Sequence, residues 1–285
     1  MFRPTPSILA IAVGIAGWST PLKAQTLRSA SSARQLLGQT SLHARVTFAA
    51  GHLLLRPAAD GYLYRMEASY DADRFRPVTR FQQGAGEVEL GLESLGAGGV
   101  RVNLDEHSPQ EAVVELSGRV ELSLDVSLGA AEADLELGGL RLRDARVAAP
   151  ASRTTIRFSR PNPGRCDWLS LTAGAAQFSA VKVGNSGCRR VRFEGGMGAV
   201  SLDLTGAWGD TTDVVVKMAV GEVNLRLPRG TGVELTADRF LSSFQPTGFV
   251  RDGKIYRSVG YAEATRRMRL DLTSSMGTIK IDWAQ

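Results

Sequence analysis

Gly198-Ala-Val-Ser-Leu-Asp-Leu, Gly221-Glu-Val-Asn-Leu-Arg-Leu and Gly277-Thr-Ile-Lys-Ile-Asp-Trp are three copies of one phrase, a glycine followed two residues later by strict apolar alternation. Weaker copies open at Gly86, Gly129 and Gly174. Alternation of period two puts Val200, Leu202 and Leu204 on one face of a strand and Ser201 and Asp203 on the other, and Val223, Leu225 and Leu227 repeat the arrangement. Glycine fits at the head of each copy because the chain must turn sharply there, in a conformation where a side chain clashes. Successive corners lie 24 residues apart from Gly174 to Gly198, 23 from Gly198 to Gly221, and 45, nearly two units, from Gly129 to Gly174. A strand unit recurring at such an interval predicts stacked coils of one β structure. The 56-residue gap from Gly221 to Gly277 leaves room for an extra coil and a longer excursion.

Outward from the repeat, the chain divides into three. Residues 1–24 resemble an export signal: Arg3, the apolar run Ile8 to Trp18, then small and polar residues before Gln25. The run is short for a membrane span, and no other segment approaches the apolar length required. An exported product, periplasmic or on the cell surface and not integral to the membrane once the signal is cleaved, is therefore expected, with an uncleaved anchor as the alternative. Residues 25–110 alternate from Leu42 onward and read as a β-rich N-terminal region, and residues 111–285 carry the repeats. Helix signals are nearly absent; Asp238-Arg-Phe-Leu-Ser-Ser reads as one turn at most.

Composition narrows the function. With 43% hydrophobic and 22% charged residues, the chain is neither disordered nor membrane-embedded. Thirty-one glycines suit many tight corners, while three histidines argue against a histidine-based metal or acid–base site. The net charge of +5 is mild. It suits an anionic cell-wall polymer or lipid surface, but fits a merely solvated arginine-rich exterior better. Nucleic acid is not an expected partner, since an exported location removes it and no basic–aromatic platform is present.

Cys166 and Cys188 are 22 residues apart, about one coil, so stacking sets them on neighbouring strands at ~4.8 Å, within disulfide reach. Two lone cysteines cannot complete a four-ligand metal shell, and no Cys-X-X-Cys pair points to redox catalysis. No metal, cofactor or catalytic residue is expected.

Five phrases carry a family resemblance: Val126-Ser-Leu-Gly-Ala-Ala-Glu-Ala-Asp-Leu, Leu169-Ser-Leu-Thr-Ala-Gly-Ala-Ala, Phe193-Glu-Gly-Gly-Met-Gly-Ala-Val-Ser-Leu-Asp-Leu-Thr-Gly, Val220-Gly-Glu-Val-Asn-Leu-Arg-Leu-Pro and Met276-Gly-Thr-Ile-Lys-Ile. From Leu122 to Trp283 the chain resembles the toast-rack β-solenoid at the C-terminus of LiaF-type cell-envelope stress proteins. The resemblance implies an all-β fold, a single-stranded right-handed β-helix with Gly129, Gly174, Gly198, Gly221 and Gly277 as structural corners. It also implies a non-enzymatic role in sensing, regulation or scaffolding at the bacterial envelope, and brings no catalytic residues. The chain lacks the N-terminal cluster of membrane spans of the membrane-bound regulators, which sets it apart from direct kinase control.

Candidate sites follow from parity and composition. Asp203, Glu222 and Asp282 alternate outward beside apolar residues and read as a solvated face, with a carboxylate ladder as the sharper reading. Asp210 and Asp213 offer two carboxylates, too few for a Ca²⁺ loop. The run Gly195-Gly196-Met197-Gly198 opens a strand, with no helix and no following Lys-Ser/Thr, so it is not a phosphate cradle. Arg141 with Arg143, Arg190 with Arg192, and Arg267 with Arg269 share faces by parity, and aligned coils would make them a basic stripe, but Glu132, Asp134, Glu136 and Asp144 dilute the field and favour scattered surface arginine. Phe240, Phe244 and Phe249 fall in the longest apparent irregular insertion, as an aromatic contact surface or a cap on the open end. The leading reading is a monomeric envelope structural, sensing or interaction protein. Its rivals are a carbohydrate-active enzyme with paired carboxylates in a groove, and a lipid- or envelope-polymer-binding protein, the lipid to be held near Tyr62, Tyr64, Met66, Tyr70 and Phe75.

Overall fold

The computed structural model describes residues 26–96 and 110–284; the expected export segment, residues 1–24, lies outside them. The first stretch holds β1 (Leu27–Gln35), β2 (Ser41–Pro57), β3 (Tyr62–Asp71), β4 (Phe75–Gln82) and β5 (Glu87–Ser94). The second holds β6 (Glu111–Leu116), β7 (Glu121–Glu136), β8 (Leu142–Ala149), β9 (Arg153–Arg157), β10 (Cys166–Val181) and β11 (Cys188–Asp203). It continues through β12 (Thr211–Leu227), β13 (Thr231–Gln245), β14 (Phe249–Asp252), β15 (Ile255–Ser258) and β16 (Arg266–Trp283). One turn of 3-10 helix, Val183–Ser186, is the only helix among the described residues.

Six strands, β2, β7, β10, β11, β12 and β16, are 16 to 18 residues long, and each pairs in parallel with another of the six. Such length arises because each is two short alternating arms joined at a corner. In β16, Met268, Leu270 and Leu272 are buried before the corner and Ile279 and Ile281 after it, so the buried set passes from even to odd positions. β12 makes the same change, from Val214, Val216 and Met218 to Val223, Leu225 and Leu227. Without that one-residue slip in a period-two pattern, the second arm would turn its apolar side outward; with it, both arms face one interior.

The slip occurs at glycine. Gly198, Gly221 and Gly277 stand in register on β11, β12 and β16, with φ of 131°, 138° and 133°. A Cβ at Gly221 would collide with the carbonyl oxygen of Gly198, and one at Gly277 with that of Gly221. Gly129 and Gly174 face the carbonyl oxygens of Ala49 and Pro150 in the same way. The interior so enclosed is largely apolar, with Phe48, Leu92, Leu135, Phe193 and Leu270 fully buried.

The expected single-stranded right-handed β-helix is corrected by the strand order. A coil-by-coil winding stacks strands in chain order, but here the path runs β1-β3-β6-β2-β7-β8-β10-β11-β12-β16-β13-β15-β14. The last strand, β16, inserts between β12 and β13, parallel to both. β8 and β9 together fill one layer, each pairing with both β7 and β10, so these four strands form a closed circuit. Antiparallel pairs occupy the periphery: β1 with β3, β3 with β6, β4 with β5, and β15 with both β13 and β14. The fold is all-β, with a parallel six-stranded closed, barrel-type core and peripheral sheets. The repeat reports the bent-strand unit, not the order in which units are laid down.

Cys166 and Cys188 are register partners on β10 and β11 and form a disulfide, with Cα atoms 4.2 Å apart. Replacing both by alanine should lower stability by about 3 kcal/mol, chiefly by freeing the unfolded chain; a denaturant midpoint equal to that of the unaltered protein would refute this. Gly221→Ala should cost about 3 kcal/mol or more, since positive φ and a backbone collision act together. Gly230→Ala, where φ is 74° and the space is open, should cost about 1 kcal/mol. Equal losses at the two glycines in equilibrium unfolding would remove the collision from the account.

Candidate functional site

Strand register determines which outward side chains meet. On the first arms, one rung runs Asp144, Trp168, Arg190, Asp213, Arg269 and Glu234, and the next runs Asp125, Arg146, Ser170, Arg192, Val215 and Asp271. Arg190 and Arg192 thus lie together on the exposed face, as parity predicts. Arg141 and Arg143 do not join them: Arg141 precedes β8, and Arg143 pairs with Asp144 at 3.0 Å and Glu121 at 3.7 Å. Those contacts raise the Arg143 guanidinium pKa, the hydrogen bond to Asp144 first. Arg269 stands 3.5 Å from Asp213.

The residue that does align with Arg192 is Arg146, across Ser170, and its guanidinium sits 5.2 Å from the Trp168 ring centre. Parity within one strand could not find it. The signal was the layer-to-layer offset, since Arg146 precedes Ser170 by 24 residues and Ser170 precedes Arg192 by 22.

Asp203, Glu222 and Asp282 do not form a carboxylate ladder. Asp203 and Asp282 share a rung, but Arg226 stands between them. Glu222 lies elsewhere, opposite Ala199 and Thr278. Its carboxyl is held below the usual carboxylate range, first by a hydrogen bond from Asn224 (2.8 Å), then by one from Lys280 (3.0 Å) and by that ammonium's charge. Among the described residues no group of three or more His, Cys, Asp or Glu is placed to hold a metal ion, and no helix is long and apolar enough to cross a membrane.

The segment carrying the three phenylalanines is not an irregular insertion. Phe240 and Phe244 belong to β13 and Phe249 to β14. Phe244 meets Tyr256 edge-on at 5.6 Å, and Phe249 packs 5.3 Å from the Trp283 ring. Phe240 stands apart, 82% exposed.

Sequence reading also missed what Phe240 adjoins. Just before the corner glycines, Met197, Val220, Met276 and Leu241 fall on one rung, at exposures of 59%, 40%, 48% and 58%. Beside them run Ala219, Ser275 and Phe240, also exposed. These neighbouring columns carry no charge and form a ridge spanning four strands, roughly 15 Å across at the ordinary strand spacing. These apolar side chains are aligned into one patch rather than scattered singly over the surface.

A parallel β core of long bent strands, with peripheral antiparallel strands, defines an all-β protein of the toast-rack type. The chain belongs to the family described as the N-terminal domain of toast_rack, DUF2154, whose model matches residues 23–178. No curated protein matches the sequence. Among solved structures it is similar to a candidate cell adhesion protein from Clostridium sporogenes, at 16% identity and a TM-score of 0.49 over 91% of this chain and 100% of that one. A candidate adhesin from Bacteroides fragilis is similar at 13% identity and a TM-score of 0.41, over 90% and 98% of the two chains.

The depressed Glu222 pKa makes a signed prediction. A group lowered on folding contributes stability above its unfolded pKa and loses it as pH falls through the folded value. Carboxyl NMR titration should place the Glu222 midpoint below that of an ordinary glutamate. Asn224→Ala and Lys280→Met should each raise it, the former more; an unmoved midpoint in both would show that neither contact holds the charge.

Proposed function

We propose that the chain is a non-enzymatic interaction protein of the cell envelope that docks through the apolar ridge along its glycine corner. The ridge carries this reading: Met197, Val220, Met276 and Leu241 are held in line by strand register, with Phe240 beside them. Large apolar side chains fixed in a row on rigid strands present a contact surface at little entropic cost of ordering. An uncharged ridge suits an apolar envelope surface, of protein or of lipid, better than an anionic polymer. The export-type N-terminus supports an address outside the cytoplasm. A scaffold or sensor at the envelope, as the resemblance to LiaF-type proteins implies, is part of this reading.

Full-length protein should co-sediment with envelopes isolated from the producing cells. The combined variant Phe240→Ser, Leu241→Ser and Met276→Ser should remain mostly in the supernatant while melting within a few degrees of the parent, because surface substitutions change stability by only about 0.5 kcal/mol each. Protease-treated envelopes separate the partners: loss of binding indicates protein, and retention indicates lipid. Equal sedimentation of parent and variant, or none by the parent, rules out docking by the ridge.

A further inference from the structure

We propose that a second site, the groove around Trp168 on the outer face of the first arms, binds the carboxylates of an acidic polysaccharide. It extends the reading of the chain as an interaction protein to another surface, so the ridge and the groove can fail separately. The groove, about 400 Å³ in volume, is lined by Arg146, Trp168, Ser170, Arg190, Arg192 and Asp213, among others. Register fixes its plan. Arg146 and Arg192 flank Ser170 two strand spacings apart, roughly 10 Å, and Arg190 and Arg192 stand two residues apart on β11, roughly 7 Å.

Ion pairs among the described residues engage three of the four charged groups that line the groove and leave Arg190 uncommitted. Arg146 is 4.0 Å from Asp125, at the limit of an ion pair; Arg192 is held by Glu194, and Asp213 by Arg269 at 3.5 Å. Among the described residues Arg190 has neither an ion pair nor a side-chain hydrogen bond, and the Ser170 hydroxyl makes none either. An unpaired guanidinium on a half-open floor suits a carboxylate, which it meets as a two-pronged fork. The Trp168 indole adds an aromatic surface of the sort on which the C–H face of a pyranose packs. Guanidiniums separated by several ångströms along and across the strands match carboxylates repeating along a uronate chain, with Asp213 setting one border.

A lipid surface fits this groove less well. The large apolar side chains that would enter a bilayer, Met197, Val220, Phe240, Leu241 and Met276, stand at the corner and not around Trp168. The chemistry here is charge and a ring on a flat sheet face, suited to an extended polar chain.

The test is calorimetric titration of the full chain with oligogalacturonate at low salt. Binding is expected, with a neutral galactan of the same length giving none. Arg190→Gln with Arg192→Gln, and separately Trp168→Ala, should each weaken binding by about tenfold or more, with melting temperatures near the parent's. Arg143→Gln, outside the groove, should bind as the parent does. No heat with oligogalacturonate overturns the proposal, as does equal affinity in the groove variants. Binding only to anionic phospholipid vesicles, lost in the arginine double variant, overturns it in favour of a membrane surface. Envelope sedimentation that persists in the groove variants, and oligogalacturonate binding that persists in the ridge variant, keep the two sites distinct.

Discussion

The collision that a side chain would make at Gly129, Gly174, Gly221 and Gly277, Cβ against the carbonyl oxygen of the strand beneath, constrains the rest of this structure. At Gly221 and Gly277 the backbone lies so close to the neighbouring chain that only a hydrogen fits on that side of Cα. Positive φ adds a second reason for glycine at the same positions. Because these glycines must sit over one another, they lock the register of β11, β12 and β16 along both arms. A strand displaced by one residue would drive a methionine or valine into the corner and turn its apolar set to solvent.

Surface chemistry descends from the same geometry. A one-residue slip in a period-two pattern leaves two consecutive residues facing outward, as Ala219 with Val220 and Ser275 with Met276 do. The neighbouring strands β12 and β16 repeat that surplus in register, so this part of the corner gains an aligned double column of outward positions. Those columns are filled with small and apolar residues, while the flat arms carry arginines and carboxylates in rungs. Ridge and groove are therefore two products of one register: the ridge arises where the strands bend, the groove where they run straight.

Much of this was legible in the sequence. Alternation marked the arms, glycine marked the corners, and the interval between corners placed Cys166 beside Cys188. Strand order was not legible, because β12, β13 and β16 present equivalent apolar alternation, and nothing in a period states which neighbour a strand takes. β16 sits between the other two because its two edges find partners on both sides. The Phe240 segment read as a loop for a related reason. In the second arm of β13 nearly all residues are exposed or half-buried, so the inside/outside contrast that reveals a strand is missing. Arg146 escaped because parity relates residues on one strand, whereas a site on a parallel sheet is assembled across strands at the layer offset.

The end of the sheet shows why that second arm of β13 can remain so exposed. β15 covers β13 only from Glu234 to Thr236, leaving the stretch from Asp238 to Gln245 paired on one side alone, to β16. Open edges invite pairing with other chains, and natural sheets blunt them with charge or with packed cover. Both devices are present here. Asp238 and Arg239 place opposite charges at the start of the open stretch; the Arg239 guanidinium folds over the Phe244 ring at 4.9 Å and donates to the Ser242 carbonyl oxygen at 3.1 Å. Phe244 against Tyr256 and Phe249 against Trp283 seal the apolar interior beyond it. Phe240 stands outside these pairs, and its exposure beside Leu241 and Met276 extends the ridge to the edge of the sheet.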